Sequence, residues 1–371
     1  MNQQITATDA YLALTLLPGI GPIRVQRLLK RFKNPQRILS ASPAEIQSVN
    51  GFGSEMAKLI VHWEDHIDLP EEYRRIRDHD IDLITLESDE YPRSLREIHD
   101  PPFLLFVKGK LLGRDQHAIG VVGCRRCTHY GTEAARKLSF QMAYAGLTVI
   151  SGLARGIDTA AHEAALAAKG RTIAVLGSGI GNIYPPENAA LADKIAQSGA
   201  VISEFPVLYV PDKQSFPLRN RIVSGMSFGI LVAEAPVRSG ALITANQALD
   251  QGRNVYAVPG PIDRPTSVGC NRLIQQGASL VIDVDDILEE REMLFPKEAM
   301  SQEAPGTHSM TAKLDDMEKT VYEALESSET QIDIIIQRTK LPSSTVSSTL
   351  LRLEMKRLVK QLPGKQFVKL I

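Results

Sequence analysis

The stretch that decides the fold is LTVISGLARGIDTAAH, from Leu147 to His162. It begins with apolar and β-branched residues, which predict a short buried strand. A glycine-bearing turn and a segment with helical character follow. A strand, a tight turn and a helix in this order form the start of a βαβ unit, so the stretch predicts a parallel sheet.

The same alternation extends from about residue 82 to residue 283. Short runs with the composition of buried strands are separated there by segments of helix length. The runs are IDLITL at Ile81, FLLFV at Phe103, AIGVV at Ala118, LTVIS at Leu147, TIAVL at Thr172, AVIS at Ala200, GILVA at Gly229, NVYAV at Asn254 and SLVID at Ser279. We therefore expect an α/β domain with a doubly wound, mostly parallel sheet.

The residues before this domain carry an internal repeat of helical character. LLPGIGPIRVQRLL begins at Leu16, and SVNGFGSEMAKLI begins at Ser48. When the two copies are aligned on Gly19 and Gly51, the apolar positions pair as Leu17/Val49, Ile20/Phe52, Val25/Ala57 and Leu28/Ile60. Glycine permits a tight hairpin and lets the N–H groups of a helix start approach a phosphate. The repeat resembles the helix-hairpin-helix family of DNA-binding modules; packing on the neighbouring domain is the alternative role.

The C-terminal part is expected to form a separate small module. A polar stretch with proline and glycine, residues 293–311, predicts a linker. Beyond it we expect three helices, at 315–326, 331–338 and 343–356, and two short strands around Pro363-Gly364. This is a winged-helix pattern. The helix that would enter a groove has no charge before Arg352, so it favours a protein-interaction role or weak backbone contact over sequence-specific reading of a duplex. The predicted domains are 1–70, 71–290 and 313–371, with a linker at 291–312.

The composition is that of a globular protein with unevenly distributed charge. The 371 residues have a net charge of −1, and a hydrophobic content of 43% excludes a disordered chain. No apolar run approaches the roughly 18 residues of a membrane helix, and the few cysteines cannot form a disulfide framework, so we expect a cytoplasmic protein without membrane contact. Six bases and no acid lie between Ile20 and Arg37, and 18 bases face 11 acids between Pro101 and Ile282. Such basic blocks fit a protein that binds a polyanion although the net charge of the whole chain is close to zero.

The loops after the predicted strands share a phosphate-binding character. In an open parallel sheet, ligands bind beyond the carboxyl ends of the strands. The strand-end units there are Ser151-Gly152, Gly177-Ser178-Gly179 and Ser239-Gly240. Glycine allows close backbone approach, while hydroxyl and helix-start N–H groups donate hydrogen bonds. Several such units suit several phosphates in a row, as in a polynucleotide.

The segment KQSFPLRNR, from Lys213 to Arg221, combines cations with an aromatic ring. Lys213, Arg219 and Arg221 could follow phosphates while Phe216 stacks on a base. This combination is typical of single-strand binding. The alternative is that Phe216 belongs to the core and that the arginines are ordinary surface or ion-paired groups.

A nucleotide cofactor is not expected. Gly177, Gly179 and Gly181 form GxGxG, whereas the dinucleotide fingerprint is GxGxxG, and Asn182 occupies its third glycine position. Glu204 would be the ribose-binding acid, and it comes somewhat late. The GxxxxGK[ST] motif of P-loop proteins is missing from the sequence.

Two further motifs indicate chemistry with low specificity. Cys124 and Cys127 form a CxxC pair after a strand, but only Cys270 remains as a third cysteine, so we expect no metal or redox site. Asp158 and His162 are spaced i, i+4. Capping by Asp158 and packing by His162 are favoured over acid–base catalysis.

Long motifs in a fixed order reveal a family resemblance. They are GCRRCTHYG (123–131), SGLARGIDTAAH (151–162), YPPEN (184–188), FPLRNRIVSGMS (216–227), TANQALDQGRNVYAVPG (244–260) and GCNRLIQQGA (269–278). Together they resemble the DprA/Smf family, DNA-processing protein A, over essentially the whole chain. The resemblance implies an extended Rossmann-like domain, flanked by an N-terminal helical domain of the helix-hairpin-helix or SAM-like kind and by a C-terminal winged-helix module.

The resemblance also implies a function and a set of site residues. The family binds single-stranded DNA as a homodimer, protects incoming DNA in natural transformation, loads the RecA recombinase and helps to displace single-strand-binding protein, without catalytic turnover. Carried over by motif, the DNA-binding residues are Arg125, Ser151, Gly152, Lys213, Phe216, Arg219, Asn220, Arg221, Ser239, Gly240 and Thr244. Lys169, just before a strand, is a further phosphate contact, and the strand-end pattern adds Gly177, Ser178 and Gly179.

Two other classes of function are compatible with the sequence. Similar Rossmann folds occur in nucleoside-monophosphate phosphoribohydrolases, in which Glu204 or Glu234 could serve as the acid, although the PGGxGT signature of that group is missing from the sequence. A structural scaffold for the recombinase would bind no DNA through its central domain.

Overall fold

The chain divides into two compact units, Met1–Phe295 and Pro296–Ile371. The computed structural model describes residues 5–294, 316–325, 330–355, 358–362 and 366–369. Within these ranges, no helix is both long and apolar enough to cross a membrane.

The first unit begins with helical hairpins. Its helices are α1 (Ala7–Leu16), α2 (Pro22–Phe32), α3 (Pro35–Leu39), α4 (Pro43–Gln47), α5 (Ser54–Val61) and α6 (Leu69–Asp78). All members of the four aligned apolar pairs are buried in one hydrophobic core. Gly19 and Gly51 take positive φ angles of 77° and 92° at the two hairpin turns. The internal repeat is therefore a tandem of helical hairpins.

These helices pack against the sheet that follows them. The Tyr11 hydroxyl of α1 donates a hydrogen bond of 2.6 Å to Glu87, and the rings of Tyr11 and Phe103 lie 5.8 Å apart. On α6, the carboxylate of Glu72 accepts a 2.7 Å hydrogen bond from the backbone N–H of Val207. Packing on the neighbouring domain, one of the two roles expected for this part of the chain, is confirmed.

A nine-stranded sheet forms the centre of the first unit. Its strands are β1 (Asp82–Thr85), β2 (Leu104–Gly109), β3 (Ala118–Val122), β4 (Thr148–Ser151), β5 (Thr172–Val175), β6 (Ala200–Ser203), β7 (Gly229–Val232), β8 (Asn254–Ala257) and β9 (Ser279–Leu280). They lie in the order β1-β2-β6-β5-β4-β3-β7-β8-β9. All pairs from β6 to β9 are parallel, whereas β2 pairs antiparallel with both β1 and β6. Each predicted run contributes one strand, so the doubly wound, mostly parallel sheet is confirmed.

Helices cover both faces of this sheet. They are α7 (Arg93–Arg96), α8 (His129–Tyr144), α9 (Ile157–Ala167), α10 (Ala189–Ser198), α11 (Ser215–Gly225), α12 (Gly240–Asp250), α13 (Val268–Gln275) and α14 (Asp285–Leu294). Successive side chains of a strand point to opposite faces. In β3, Val121 therefore packs in one core with α8 and α9, and Val122 packs in another with α11 and α12. Burial on both faces explains why the strands are almost entirely apolar.

The second unit has a core of its own and the predicted winged-helix fold. It contains α15 (Asp316–Glu323), α16 (Ile332–Thr339) and α17 (Ser343–Met355), with strands β10 (Thr330–Gln331), β11 (Val359–Leu362) and β12 (Gln366–Lys369). The strands form an antiparallel sheet in the order β10-β12-β11. The predicted turn at Pro363-Gly364 lies outside the described residues. So does the predicted linker beyond Leu294, where α14 ends.

Candidate nucleic-acid interface

The loops that follow six parallel strands meet at one edge of the sheet, which we call the strand-end rim. They follow β3, β4, β5, β6, β7 and β8 and comprise residues 123–128, 152–156, 176–185, 204–214, 233–239 and 258–267. The winding direction of the sheet reverses between β3 and β7. Ligands of open α/β sheets bind in the crevice at such a reversal.

In this chain, a buried carboxylate occupies the reversal point. Glu234 accepts hydrogen bonds of 2.7 Å from both the backbone N–H and the hydroxyl of Thr128, and its Oε2 lies 3.4 Å from the Sγ of Cys124. The side chain is buried, and its hydrogen bonds tie the loop after β7 to the loop after β3. These hydrogen bonds occupy the reversal point, and a small cleft lies beside it, at the ends of β3, β4 and β5.

This cleft is built around the ring of Phe216, at the start of α11, and we call it the Phe216 cleft. The guanidinium carbon of Arg125 lies 5.1 Å from the centroid of the Phe216 ring. On another side, the Tyr184 ring lies 5.8 Å from Phe216 at an interplanar angle of 49°. The cleft is lined by Arg125, Gly152, Ala154, Arg155, Tyr184, Pro185, Phe216 and Arg219. Three strand-end loops and one helix thus bring arginines and aromatic rings to a single opening.

Glycine is required where two loops contact the cleft. A Cβ on Gly152 would lie 2.2 Å from a guanidinium nitrogen of Arg219, and a Cβ on Gly177 would lie 2.9 Å from the Phe216 ring. A Cβ atom does not approach a non-bonded heavy atom to within 3.0 Å, so a side chain at either position would displace its neighbour. The bare backbone of these loops therefore lets Arg219 and Phe216 pack directly against it.

Arg219 is a buried cation that joins two strand ends. Its guanidinium donates to the carbonyl of Gly152, after β4, and at 2.5 Å to the carbonyl of Val175, at the end of β5. Burial lowers the pKa of Arg219 to about 10, and the neighbouring Asp158 opposes that shift. The Asp158 carboxylate in turn accepts hydrogen bonds from the backbone N–H groups of Gly152 at 3.1 Å and Ala154 at 3.3 Å. Arg219 and Asp158 together fix the shape of the loop after β4.

Arg221 is buried in a separate ion-paired group. Its guanidinium contacts the carboxylate of Glu204, at the end of β6, and lies 3.2 Å from the carboxylate of Asp100. Burial raises the pKa of Glu204, and the charge of Arg221 opposes that shift. For Arg221, the structure therefore shows the ion-paired alternative. Arg219 is held mainly by carbonyl groups and borders the cleft from beneath.

Comparison with known proteins places the whole architecture in one family. The family model described as DNA recombination-mediator protein A matches residues 82–292, which is more than half of the chain. The chain belongs to this family, DprA. A DprA winged-helix model matches residues 304–365, and a model of a SAM-like helix-hairpin-helix tandem matches residues 11–62.

Individual DprA and Smf proteins are similar along much of the chain. Protein Smf of Synechocystis sp. is 33% identical over 387 residues, covering 96% of this chain and 97% of that protein. The X-ray structure of DNA processing protein A from Streptococcus pneumoniae is 37% identical, covers 78% of this chain and 99% of its own, and has a TM-score of 0.69. A structure of the Helicobacter pylori protein, described in terms of its single-stranded DNA binding mode, is 26% identical, covers 58% and 98% of the two chains, and has a TM-score of 0.51.

The residues carried over from the DprA motifs differ in exposure. Arg125, Lys213 and Gly240 are exposed, and Phe216 and Asn220 are half-buried. Ser239 is also half-buried, and the buried ones are Ser151, Gly152, Arg219, Arg221 and Thr244. Gly177, Ser178 and Gly179, which the strand-end pattern added, are buried as well. Most of the predicted set therefore shapes the rim from below, and a smaller part presents side chains to solvent.

Two of the serines have hydrogen-bonding roles within the fold. The Ser151 hydroxyl donates to the carbonyl of Val121 at 2.6 Å, which ties β4 to β3. The Ser239 hydroxyl accepts from the backbone N–H of Ala241 at 3.3 Å and caps α12. One helical turn further, the hydroxyl of Thr244 donates to the carbonyl of Gly240 at 3.5 Å. The loop after β7 is thus ordered, with Gly240 open to solvent.

Lys169 lies apart from the other predicted contacts. It follows α9 and precedes β5, so it lies at the edge of the sheet from which the parallel strands start. The strand-end rim is the opposite edge. The prediction that Lys169 lies next to a strand is correct. Because Lys169 precedes β5, however, it lies at the edge of the sheet opposite the cleft.

Arg155 and Tyr184 line the cleft but were not among the site residues predicted from the sequence. Arg155 is exposed and pairs with Glu187, and Tyr184 is 39% exposed beside Phe216. Both residues belong to strings that carry the DprA resemblance, SGLARGIDTAAH and YPPEN. The signal that could have found them is the one used for Phe216: a cation or an aromatic ring in a loop after a predicted strand.

The packing role expected for His162 is confirmed, whereas the capping role expected for Asp158 is wrong, because α9 begins after Gly156 with no side-chain cap. Asp158 accepts backbone N–H groups of its own loop. His162 is buried, its Nδ1 lies 2.7 Å from the hydroxyl of Thr172, and that hydroxyl donates to the carbonyl of Val149 at 2.7 Å. Because the Thr172 proton is already used, Nδ1 is the donor in the first contact. Burial lowers the pKa of His162 to about 3.

The structure also shows the surroundings of the CxxC motif and the position of the GxGxG motif in the sheet. Burial and the nearby Glu234 raise the pKa of the Cys124 thiol to about 12, so this group is a weak nucleophile. The Sγ of Cys127 lies 3.1 Å from the hydroxyl of Thr132. The loop that contains Gly177 follows β5, two strands away from β3, whereas a dinucleotide fingerprint belongs to the turn at the reversal point.

Proposed function

We propose that the chain binds single-stranded DNA at the Phe216 cleft and acts as a recombination mediator. The observation that carries the proposal is the Arg125–Phe216–Tyr184 cluster, in which two rings and a cation lie together in a glycine-rich strand-end rim. Aromatic rings stack on unpaired bases, and neighbouring cations bind the phosphates between them. A duplex hides its bases within the stack, so this arrangement favours a single strand.

We assign different roles to the predicted residues according to their exposure. Exposed Arg125 and Lys213 contact phosphates, Phe216 and Tyr184 stack on bases, and the N–H group of Gly240 adds a donor at the start of α12. Arg155 lines the cleft but is paired with Glu187. The buried predicted residues support these contacts through the fold. Arg219 and Arg221 hold the strand ends in register, and their loss would distort the cleft in addition to removing a charge.

The direct test is a titration of single-stranded and double-stranded oligonucleotides of the same sequence across a salt series. We expect tighter binding of the single strand and a log–log salt slope of about −0.7 for each phosphate contact. The Arg125→Ala variant should weaken binding and reduce the slope by about 0.7. A folded chain that ignores single strands at low salt would contradict the proposal and favour a purely structural scaffold.

Membership of the DprA family supports the finer part of the proposal. In the cytoplasm, a homodimer would protect incoming DNA in natural transformation, load the RecA recombinase and help to displace single-strand-binding protein. Mixing the chain with RecA and DNA coated by single-strand-binding protein tests this. We expect filament growth to begin sooner with the wild type than with Phe216→Ala, and equal lag times would contradict loading through this site.

A nucleotide-processing enzyme is the competing class, and the geometry does not favour it. Glu204 and Glu234 are the two acids that such an enzyme could use. Glu204 pairs with Arg221, and Glu234 holds the backbone and side chain of Thr128. Neither of them lines the Phe216 cleft. An assay for the release of base or phosphate from nucleoside monophosphates separates the classes, because a binding protein should yield no product.

A further inference from the structure

A further aromatic side chain lies next to the strand-end rim, on the other side of the reversal point. Tyr130, in the first turn of α8, is 49% exposed. Its hydroxyl donates a 2.6 Å hydrogen bond to the carbonyl of Pro259. Since α8 follows β3 and Pro259 follows β8, the side chain spans the end of β7, which lies between them. The ring is thus anchored at its tip and half open to solvent.

Three exposed arginines belong to the strand-end loops near this ring. Arg126, Arg238 and Arg264 belong to the loops after β3, β7 and β8, and all are exposed. Their guanidinium groups make no ion pair or hydrogen bond within the described part of the chain. In these three loops, all of which the structure describes, Asp263 is the one exposed acid. Ile262 adds an apolar side chain that is 93% exposed.

We call Tyr130 with Arg126, Arg238 and Arg264 the Tyr130 surface, and it follows the Phe216 cleft along the strand-end rim. Arg125, which lies over Phe216, and Arg126 are adjacent in the loop after β3. From β4 to β8 there are three steps between neighbouring strands, through β3 and β7. At about 4.8 Å a step, the two surfaces lie roughly 14 Å apart along the rim. A few nucleotides of a single strand cover such a distance.

The surface on the other side of the cleft is unsuited to phosphates. A groove of about 330 Å³ beside Arg155 is lined by the carboxylates of Glu163 and Glu187. The arginines at this groove are already paired: Arg136 lies 3.2 Å from Glu163, and Arg155 contacts Glu187. A strand that leaves the Phe216 cleft therefore meets unpaired cations toward Tyr130 and carboxylates toward this groove.

We propose that a single strand bound at the Phe216 cleft continues across the ends of β3, β7 and β8, where Tyr130 stacks on a second base and Arg126, Arg238 and Arg264 contact phosphates. This inference rests on the proposed function and extends it with a second nucleotide subsite. It gives the bound DNA a path along the rim, from the Phe216 cleft toward Tyr130. It therefore predicts a binding site longer than the Phe216 cleft alone.

The test measures affinity for oligo-dT of increasing length, from about three to about 18 nucleotides, which brackets the known range of such sites. Wild type and Tyr130→Leu should bind the shortest oligomers equally and diverge as the length grows, up to a loss of about 5-fold to 150-fold, as expected for one stacked base. Tyr130→Phe keeps the ring and should bind long oligomers like the wild type. Tyr144→Leu, at the other end of α8 and 59% exposed, is the matched control.

A charge variant keeps the test informative if Tyr130→Leu misfolds. Arg238→Ala should reduce the salt slope for long oligomers by about 0.7 and leave it unchanged for short ones. Arg114→Ala, an exposed residue before β3 at the opposite edge of the sheet, should change neither slope. Coinciding wild-type, Tyr130→Leu and Arg238→Ala curves at every length would overturn the second subsite while the proposed function stands. Failure of the wild type to bind any oligomer would overturn both.

Discussion

At the scale of single residues, Phe216 connects the sequence pattern to the chemistry of the cleft. Its ring packs against bare backbone at Gly177 on one side, lies near Tyr184 on another, and has the Arg125 guanidinium over it. These contacts hold the ring in place before any ligand arrives. A pre-positioned ring loses little conformational entropy when a base stacks on it.

The variant Phe216→Ala should weaken the binding of single-stranded oligonucleotides by about 1–3 kcal/mol, because one stacked base is lost. The salt slope should stay the same, since no charge is removed. Fluorescence anisotropy at several salt concentrations measures both quantities. Phe216→Tyr keeps the ring and should restore affinity. Equal binding by a folded Phe216→Ala protein would assign the ring to the core.

His162 should make the stability of the fold depend on pH. Its folded pKa of about 3 lies below the ordinary value of 6.5, so between these values the unfolded chain binds a proton that the native protein does not. This contribution to stability is complete above pH 6.5 and declines as the pH falls. We expect His162 to account for a loss of about 2 kcal/mol between pH 7 and pH 5.

Urea unfolding of the wild type and His162→Leu at both pH values checks this prediction. The leucine variant lacks the titrating group, so the free energy of unfolding should fall less between pH 7 and pH 5 than it does in the wild type. Parallel losses in the two proteins would mean that His162 becomes protonated without leaving the core.

At the scale of elements, the two edges of the parallel sheet have different roles. The strand-end rim contains the Phe216 cleft, the glycine-rich loops and the start of α12. The opposite edge contains Lys169, Arg114 and the buried ion pair between Arg171 and Asp115. We therefore expect a positive charge to affect DNA binding when it follows a parallel strand but not when it precedes one.

Lys213→Ala and Lys169→Ala form a matched pair that tests this difference. Both lysines are exposed, and neither side chain makes a hydrogen bond or an ion pair within the described residues. Lys213 follows β6 at the rim, and its loss should weaken single-strand binding and lower the salt slope by about 0.7. Lys169→Ala should leave both quantities unchanged. An effect of Lys169→Ala as large as that of Lys213→Ala would require DNA contact at the opposite edge.

At the scale of the whole molecule, the two compact units have separate hydrophobic cores. The Phe216 cleft and the Tyr130 surface both belong to the first unit. The N-terminal hairpins share a core with the sheet in that unit, so they are part of the support of the rim. The winged-helix unit can therefore be removed without cutting through either core.

A chain that ends at Phe295 should keep most of its affinity for single-stranded DNA. Filter binding at low and moderate salt compares it with the full chain, and circular dichroism checks that the truncated chain is folded. Complete loss of binding in a folded truncation would place the main site in the winged-helix unit.

Local sequence patterns determined the secondary structure, the order of the domains and the presence of Arg125 in a strand-end loop and of Phe216 just after one. These follow from periodicity and composition, because a strand buried on both faces must be apolar along its length and a turn must contain residues that allow it. The hairpin repeat and the winged-helix module were accessible for the same reason. The residues of each pattern are neighbours in the chain.

The tertiary structure alone decided which charges are exposed. Arg219 and Arg221 belong to the same short motif as Lys213, yet only the lysine reaches solvent, because distant parts of the chain cover the arginines. Arg221 bonds to the carbonyl of Asp100, 121 positions away, and Thr128 holds Glu234 across 106 positions. Burial of a cation depends on contacts between elements that are remote in sequence, and no local pattern records them.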